Sequence, residues 1–549
     1  MTALDVDSPD IGPVLERLRR DDVMGQILER RGRMAELATE AGDVKLDWSD
    51  QVARALDHPE SLAAVEEMAQ SIRSRFEHLI WSGMGGSIQA VHTLKGLGLF
   101  DGAGVQVHPL DSTDPASLNR LLREVGNGLE KTLMVGVSMG MTSEEPITHL
   151  RWFEALLKRH GIDRPGGHVM VMTLPGSFLD RFAVDAGATR VDIQLDGASH
   201  IPGRMSAPST RVFLLPAALA RPGSLREVLR RCDAEAELHS EMVESDPFVR
   251  LAAWLSTQID AGRDMLLLDI PRRWAALAPW VEQVVEESLG KGGRGLLIFH
   301  DQDLRLAGAW PDRFSILRIA EGSGARLPDR PLATLNLNDG TDSLSRIATT
   351  ARFFAGWNLA VAIIGYLQGI TFAGQPAVEL YKSYARRLRD APGELPYPAE
   401  EVTAAGLAEL VRSLEAAGRL GYFDLTVNGA PEGPLWDAAC EAGRRFGNEV
   451  LRRPVKIRSG PRDYHSTEQS ETDGPGDLLS LRILVRDPEP VREGDYSARF
   501  LHAQALGTFF AMRDAGRPVL LATVDRDGAA DSLKELLDRA ATELERVKR

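Results

Sequence analysis

The sequence is poor in cysteine, in aromatic residues, in positive charge and in long apolar runs. Its 549 residues include two cysteines, Cys232 and Cys440. Far apart and without CxxC spacing, they offer neither a disulfide framework nor a zinc site, and a reducing cytoplasm is the expected compartment. Lys and Arg number 64 against 79 Asp and Glu, a formal net charge of −15. Such a chain repels polyanions and needs a concentrated basic patch to bind nucleic acid. The sequence holds none, so no nucleic-acid partner is expected. Apolar runs such as 212–220 and 359–367 fall short of the about 20 residues that cross a bilayer. The acidic start Met1-Thr-Ala-Leu-Asp-Val-Asp lacks the basic and apolar regions of a signal peptide. No membrane partner is expected.

What is present is globular: 43% hydrophobic and 26% charged residues, long enough for two or three domains at about 150 residues each. Helical intervals over 11–38 and 62–75 predict N-terminal helices in residues 1–60 that lead into a first domain, 61–225. There, short apolar runs at 78–82, 132–137, 169–173 and 191–195 are each followed by an amphipathic stretch, the pattern of a parallel α/β sheet. A second cycle starts at Asp264-Met-Leu-Leu-Leu-Asp-Ile and continues through a helix at 274–287, Leu296-Leu-Ile-Phe-His300, strands at 315–319 and 333–337, and helices at 342–367 and 376–389. This is a second α/β domain, 226–395, closed by a linker at Pro392 and Pro396. Residues 396–549 read as a C-terminal α/β segment that completes the active site. It holds a helix at 401–416, strands at 422–427 and 455–458, and a helix at 434–451. The polar stretch 459–475 is long for a structureless loop and is therefore read as functional, with disorder as the alternative. The charged helix 531–549 is expected to be a solvated cap.

Three segments carry chemistry. The run His78-Leu-Ile-Trp-Ser is stopped by Gly83, Gly85, Gly86 and Ser87 before a helical pattern begins. Glycines let a backbone approach a ligand, and a helix N-terminus offers unpaired N–H groups, so this is an anion site or simply a tight turn. It lacks the third glycine of a dinucleotide fingerprint, and GxxxxGK[ST] is absent, so neither a nicotinamide nor a nucleoside triphosphate is expected. A second strand end, Val135-Gly-Val-Ser-Met-Gly-Met-Thr-Ser-Glu-Glu-Pro146, puts the hydroxyls of Ser138, Thr142 and Ser143 before a helix at 147–159, where they cap it or bind an anion. Two such loops in one sheet favour a shared pocket for a phosphorylated small molecule. In Trp280-Val-Glu-Gln-Val-Val-Glu-Glu-Ser-Leu-Gly-Lys291, Gln283 and Glu287 lie one turn apart at the border of an apolar stripe. A carboxylate there is either a partly desolvated general base or a solvated salt-bridging group.

In order along the chain, Gly83-Met-Gly-Gly-Ser87, the Ser-x-x-x-Thr-Ser-x-Glu-Pro loop from Ser138, Gly203-Arg-Met-Ser206 and Gln283-x-x-x-Glu-Ser-x-Gly-Lys291 resemble the successive motifs of phosphoglucose isomerases. Phe353-Phe-Ala-Gly-Trp and Gly369-Ile-Thr-Phe-Ala-Gly-Gln-Pro-Ala-Val-Glu-Leu-Tyr-Lys382 are similar to the family segment that ends in an active-site lysine. Gly460-Pro-Arg-Asp-Tyr-His-Ser-Thr-Glu-Gln469 resembles part of the bacterial branch often fused to transaldolase. The resemblance implies two doubly wound parallel-sheet sugar-isomerase (SIS) domains in a homodimer. It implies an interconversion of glucose 6-phosphate and fructose 6-phosphate, with a sugar phosphate or related anionic sugar as the small-molecule partner and with neither metal nor organic cofactor. It makes Glu287 the base that moves a proton between C1 and C2, Arg204 the partner of the enediolate charge, and Lys382 an aid to ring opening or sugar orientation. It assigns Gly85, Gly86, Ser87, Ser138, Thr142 and Ser143 to the anionic tail, with Gln283 beside the base.

Two departures matter. The family's phosphate loop reads Ser-Lys-[Ser/Thr]-x-Thr-Thr where this chain has Ser138-Met-Gly-Met-Thr-Ser143, so a cation and a hydroxyl are missing. The family's ring-opening histidine falls on Glu471, leaving His465, Glu471 or His200 to do that work. Three functions therefore stay open: a glucose-6-phosphate isomerase, an isomerase for another anionic hexose such as a 6-sulfonate sugar, and a non-catalytic sugar-phosphate binder.

Overall fold

The computed structural model describes residues 3–6, 10–196, 203–234, 245–320, 329–337 and 340–548. The N-terminal region, expected to be helical, also contributes an edge strand, β1 (Ala3–Val6), and a small hairpin, β2 (Thr39–Glu40) and β3 (Asp43–Val44). These are too short for an alternation to register in sequence.

The first sheet comprises β4 (His78–Ser82), β5 (Gln106–Leu110), β6 (Thr132–Val137), β7 (Val169–Thr173) and β8 (Thr189–Asp192) in the order β5-β4-β6-β7-β8. All pairings are parallel. β6 is buried at every residue, as expected of a strand covered on both faces. β5 escapes the sequence reading because His108 and Pro109 interrupt its apolar character; it is an edge strand, where proline is tolerated. Winding reverses between β4 and β6, so the loops leaving their C-terminal ends flank a crevice at the switch point, where open α/β sheets bind ligands.

The second sheet comprises β9 (Met265–Asp269), β10 (Leu297–Phe299), β11 (Phe314–Ile319) and β12 (Leu332–Asn336) in the order β1-β12-β11-β9-β10, parallel except for β1. Its helix Ala278–Leu289 packs on the 26-residue helix Ser343–Gln368, with Trp280 stacked on Phe354 at a centroid distance of 4.0 Å. By length and composition Ser343–Gln368 could cross a membrane, yet its surface is buried among its neighbours. An apolar helix without a polar face belongs in such a core.

The C-terminal segment is a third parallel sheet. β13 (Tyr422–Asn428), β14 (Val455–Gly460), β15 (Leu478–Val485) and β16 (Val519–Val524) run in the order β14-β13-β15-β16. The last helix, Ala529–Lys548, is not the solvated cap expected from its charge, because Leu533, Leu537, Ala540 and Leu544 bury one face in the core of this segment, beside the helices Ala404–Ala416 and Pro434–Ala438.

The polar stretch 459–475, expected to be a functional loop or disordered, is mostly regular structure. β14 extends to Gly460, a helical turn spans Arg462–His465, and a helix spans Glu468–Asp473. Glu468, Gln469, Ser470 and Glu471 are buried. Charge reads as solvent exposure in sequence, but here it is neutralised across strands. Buried Arg482 on β15 donates to Glu468 (2.9 Å) and Glu471 (2.8 Å). Arg458 on β14 donates to Asp424 (2.8 Å) and lies 3.1 Å from Glu471. Removing one partner of such a set strands the others in low dielectric. Arg482→Met, which keeps apolar bulk and leaves both glutamates without it, is expected to cost about 3–5 kcal/mol. A thermal or urea midpoint equal to that of the native chain would contradict this.

Candidate active site

The crevice at the ends of β4 and β6 widens into a cavity of about 470 Å³. Gly85, Gly86, Ser87, Thr142, Ser143, Arg204, Glu287, Lys382 and His465 all line it. So do Glu40, Asp43 and Lys45 from the N-terminal hairpin region, and 372–375 from the segment after the long core helix. Two residues expected to touch a ligand do not line the cavity. Ser138 is buried, its hydroxyl donating to Gly140 O (3.0 Å) and shaping the loop from within. Gln283 is buried rather than at a stripe border; its Nε2 donates to Glu287 Oε2 (3.0 Å) and to His465 O (3.1 Å).

The glycine turn after β4 is shaped for close approach. Gly85 has φ +52°, and a Cβ there would lie 2.6 Å from His465 O and 2.8 Å from Gln283 Nε2. At Gly86 a Cβ would lie 2.9 Å from Arg204 Cα. Glycine alone permits both the backbone angle and the contact distance. Residues from all three sheets thereby converge on one loop.

Glu287 sits near the C-terminal end of Ala278–Leu289 and is buried, not a solvated salt-bridging group. Arg204 Nε lies 3.1 Å from its Oε2, with both side chains under one-tenth exposed. The guanidinium is fixed on its far side: Nη1 donates to Phe372 O (3.2 Å), and Nη2 donates to Gly374 O (3.0 Å) and Gln375 Oε1 (3.1 Å). Gln283 thus holds Oε2 by a hydrogen bond, and Arg204 by charge alone, since its Nε–H makes no hydrogen bond. Among the described residues none donates to Oε1.

His465 comes from the turn after β14. Its Nε2 meets Glu145 Oε1 at 2.8 Å and the Tyr381 hydroxyl at 3.0 Å. Because a carboxylate only accepts, Nε2 carries the proton in the first contact. Burial would raise the Glu145 carboxyl, but the charge and hydrogen bond of His465 and the charge of Lys382 outweigh it and hold it down at about 2. Burial pushes the Tyr381 hydroxyl well above its ordinary value, with nearby carboxylates adding to the effect. Lys382 pairs with Glu379 (2.9 Å). Glu471, the position where the family's histidine would fall, does not line the cavity and is committed to Thr467, Arg458 and Arg482. His200 lies outside the described residues.

Sequence reading missed Glu145, Tyr381, Gln375 and Glu379. Glu145 and Glu379 stand inside quoted motifs, but only tertiary contact distinguishes them from helix-surface carboxylates.

The loop 138–143 turns Met139, Gly140 and Met141 toward the cavity with no cation of its own. The helix it feeds, Glu145–Arg159, carries carboxylates at its start. Glu145 Oε2 accepts from the Glu144 backbone N–H (3.2 Å), and Glu144 is neutralised by Arg386 and Arg389. Part of the positive helix end is therefore satisfied by the protein itself.

No family model matches the sequence. The chain is 31% identical over 250 residues to a glucose-6-phosphate isomerase of Citrifermentans bemidjiense, covering 42% of this chain and 45% of that protein. It is 31% identical over 226 residues to one of Synechococcus sp. strain JA-3-3Ab, covering 40% of each. The chain thus spans less than half the length of these curated relatives. Among solved structures, a hypothetical protein of Thermus thermophilus superposes with TM-score 0.59 at 22% identity, covering 71% of this chain and 100% of that one. A glucose-6-phosphate isomerase of Chlamydia trachomatis superposes with TM-score 0.56 at 16% identity, covering 71% and 89%. The chain is a distant homologue of proteins that carry the glucose-6-phosphate isomerase name, and its fold is the α/β, parallel-sheet architecture of the sugar-isomerase type.

Proposed function

We propose that the chain is an aldose–ketose isomerase that interconverts glucose 6-phosphate and fructose 6-phosphate by proton transfer through an enediol. The observation that carries this reading is the buried Glu287–Arg204 pair facing a cavity of ligand size. Glu287 Oε1, with Oε2 facing Gln283 and Arg204, takes the proton from C2 of the open-chain aldose and returns it to C1, while the hydroxyl proton on O2 passes to O1, so that C1 becomes the alcohol and C2 the carbonyl. Charge then grows on the former carbonyl oxygen. A guanidinium has five N–H donors; Arg204 uses both on Nη2 and one on Nη1, and its buried Nε–H lies beside Glu287 as an ion pair without a hydrogen bond, so one Nη1–H is left for that oxygen. Being always protonated and held in place, it stabilises the enediolate without reorganising.

Ring opening falls to His465. With Nε2–H directed at Glu145 and Tyr381, Nδ1 is the atom that exchanges a proton with the ring oxygen. Lys382 orients the sugar hydroxyls, and Ser87, Thr142 and Ser143 hold the 6-substituent. Glu287→Gln keeps the side-chain size and removes the base, so it is expected to lower kcat by about 10²–10⁴-fold with little change in sugar-phosphate affinity. Turnover retained within about tenfold in an NMR assay of the two sugars would refute the assignment. Binding without turnover in the native chain would favour a sugar-phosphate-binding protein.

A second reading, a hexose whose tail is a monoanion such as a 6-sulfonate, is favoured by Met139-Gly140-Met141 and by the self-neutralised helix start. Restoring the family pattern with Met139→Lys and Gly140→Ser together is expected to tighten glucose 6-phosphate binding by about 1–3 kcal/mol in calorimetry, and to tighten binding of a 6-sulfonate analogue less. Unchanged phosphate affinity would mean that backbone N–H groups and hydroxyls already suffice, and would leave the phosphate substrate as the reading.

A further inference from the structure

The backbone segment that fixes Arg204 is itself fixed by a second cation outside the cavity lining. Lys291 follows the helix that carries Glu287, and its Nζ donates to Thr371 O (2.7 Å), Ala373 O (2.8 Å) and Gly374 O (2.9 Å). Arg204 donates to Phe372 O and Gly374 O. Four successive carbonyls are thus shared between two cations, and Gly374 O is bonded to both. An ammonium withdrawn from water is costly unless its donors are matched, and three acceptors match its three N–H groups. The segment is anchored again by the Phe372 amide, which donates to Leu37 O (3.0 Å).

We propose that Lys291 is a positioning residue for the isomerisation: its ammonium fixes the strap 371–374, and the strap holds the Arg204 guanidinium against Glu287 and the developing oxyanion. This rests on the functional reading above.

The arrangement has a pH signature. Burial, aided by the charge of Arg204, pushes the Lys291 ammonium down to about 7, against the opposing charges of Glu287, Glu40 and Asp473. Below that pH the ammonium satisfies three carbonyls. Above it, the neutral amine has two N–H groups and turns a lone pair toward the third oxygen. The strap therefore loosens as pH rises through about 7.

The test combines hydrogen exchange of peptides covering 369–376 in the free protein with the pH dependence of kcat, for the native chain and Lys291→Met. After correction for intrinsic exchange, strap protection in the native chain is expected to fall as pH rises through about 7, and to be lost already at pH 6 in Lys291→Met. The native kcat is expected to decline over the same interval. In Lys291→Met, kcat is expected to be about 10–100-fold lower and flat there, the size of effect a misplaced active-site group produces. The native pH series needs no variant, so it decides the matter even if Lys291→Met folds poorly. Strap protection unchanged in the variant, or unchanged across pH 7 in the native chain, would overturn the proposal. Lost protection with kcat within about twofold of native would overturn the link to Arg204. A native chain without turnover would sink the functional reading alone; retained strap protection in Lys291→Met would overturn the positioning role independently.

Discussion

Two positions without side chains, Gly85 and Gly86, set how closely the three sheets can meet. The carbonyl of His465 from the third sheet, the amide of Gln283 from the second and the backbone of Arg204 all rest on the turn that leaves β4, at distances where a Cβ would overlap each of them. The geometry of the candidate site follows from that contact. Gln283 reaches both His465 and Glu287 because the turn leaves room for it. The crevice at the switch point of the first sheet is thereby closed by groups that its own strands do not supply.

Charge is buried for two purposes. In the cavity, Arg204 and Glu287 pair while each keeps a reactive edge, Nη1–H and Oε1. Away from it, Arg458 and Arg482 bind Asp424, Glu468 and Glu471 and fold the segment that delivers His465. The helix of Glu287 is clamped between the two regions. Trp280 stacks on the core helix, while Glu282 and Glu286 on the opposite side meet Lys456 of β14. Buried ion pairs add little net stability relative to apolar packing, and their value here lies in fixing positions.

Much of this was readable in the sequence where local pattern and tertiary role coincide. β4 and β6 are apolar runs ended by Gly and Ser, and the loops after them do line the cavity. Glu287 and Arg204 were marked by motif order, and they meet. Reading failed where a residue's role depends on a distant partner. The stretch 461–473 reads as a polar loop because the arginines that pair with its acids and bury them lie on other strands. Glu145 and Lys291 look like ordinary helix-end charges until His465 and the 371–374 carbonyls are placed beside them. β5 is hidden by a proline that only an edge strand accepts, and Glu471, aligned with a family histidine, proves to be part of the buried charge set.

The central claim is that Glu287 carries a proton between two carbons of one sugar through an enediol. The most direct measurement is conversion of fructose 6-phosphate in D₂O, followed by NMR at C2 of the glucose 6-phosphate formed. Proton transfer through a carboxylic acid that exchanges with solvent predicts deuterium at C2. Product formed at the same rate with hydrogen fully retained at C2 would point to direct hydride transfer between the carbons and contradict the account.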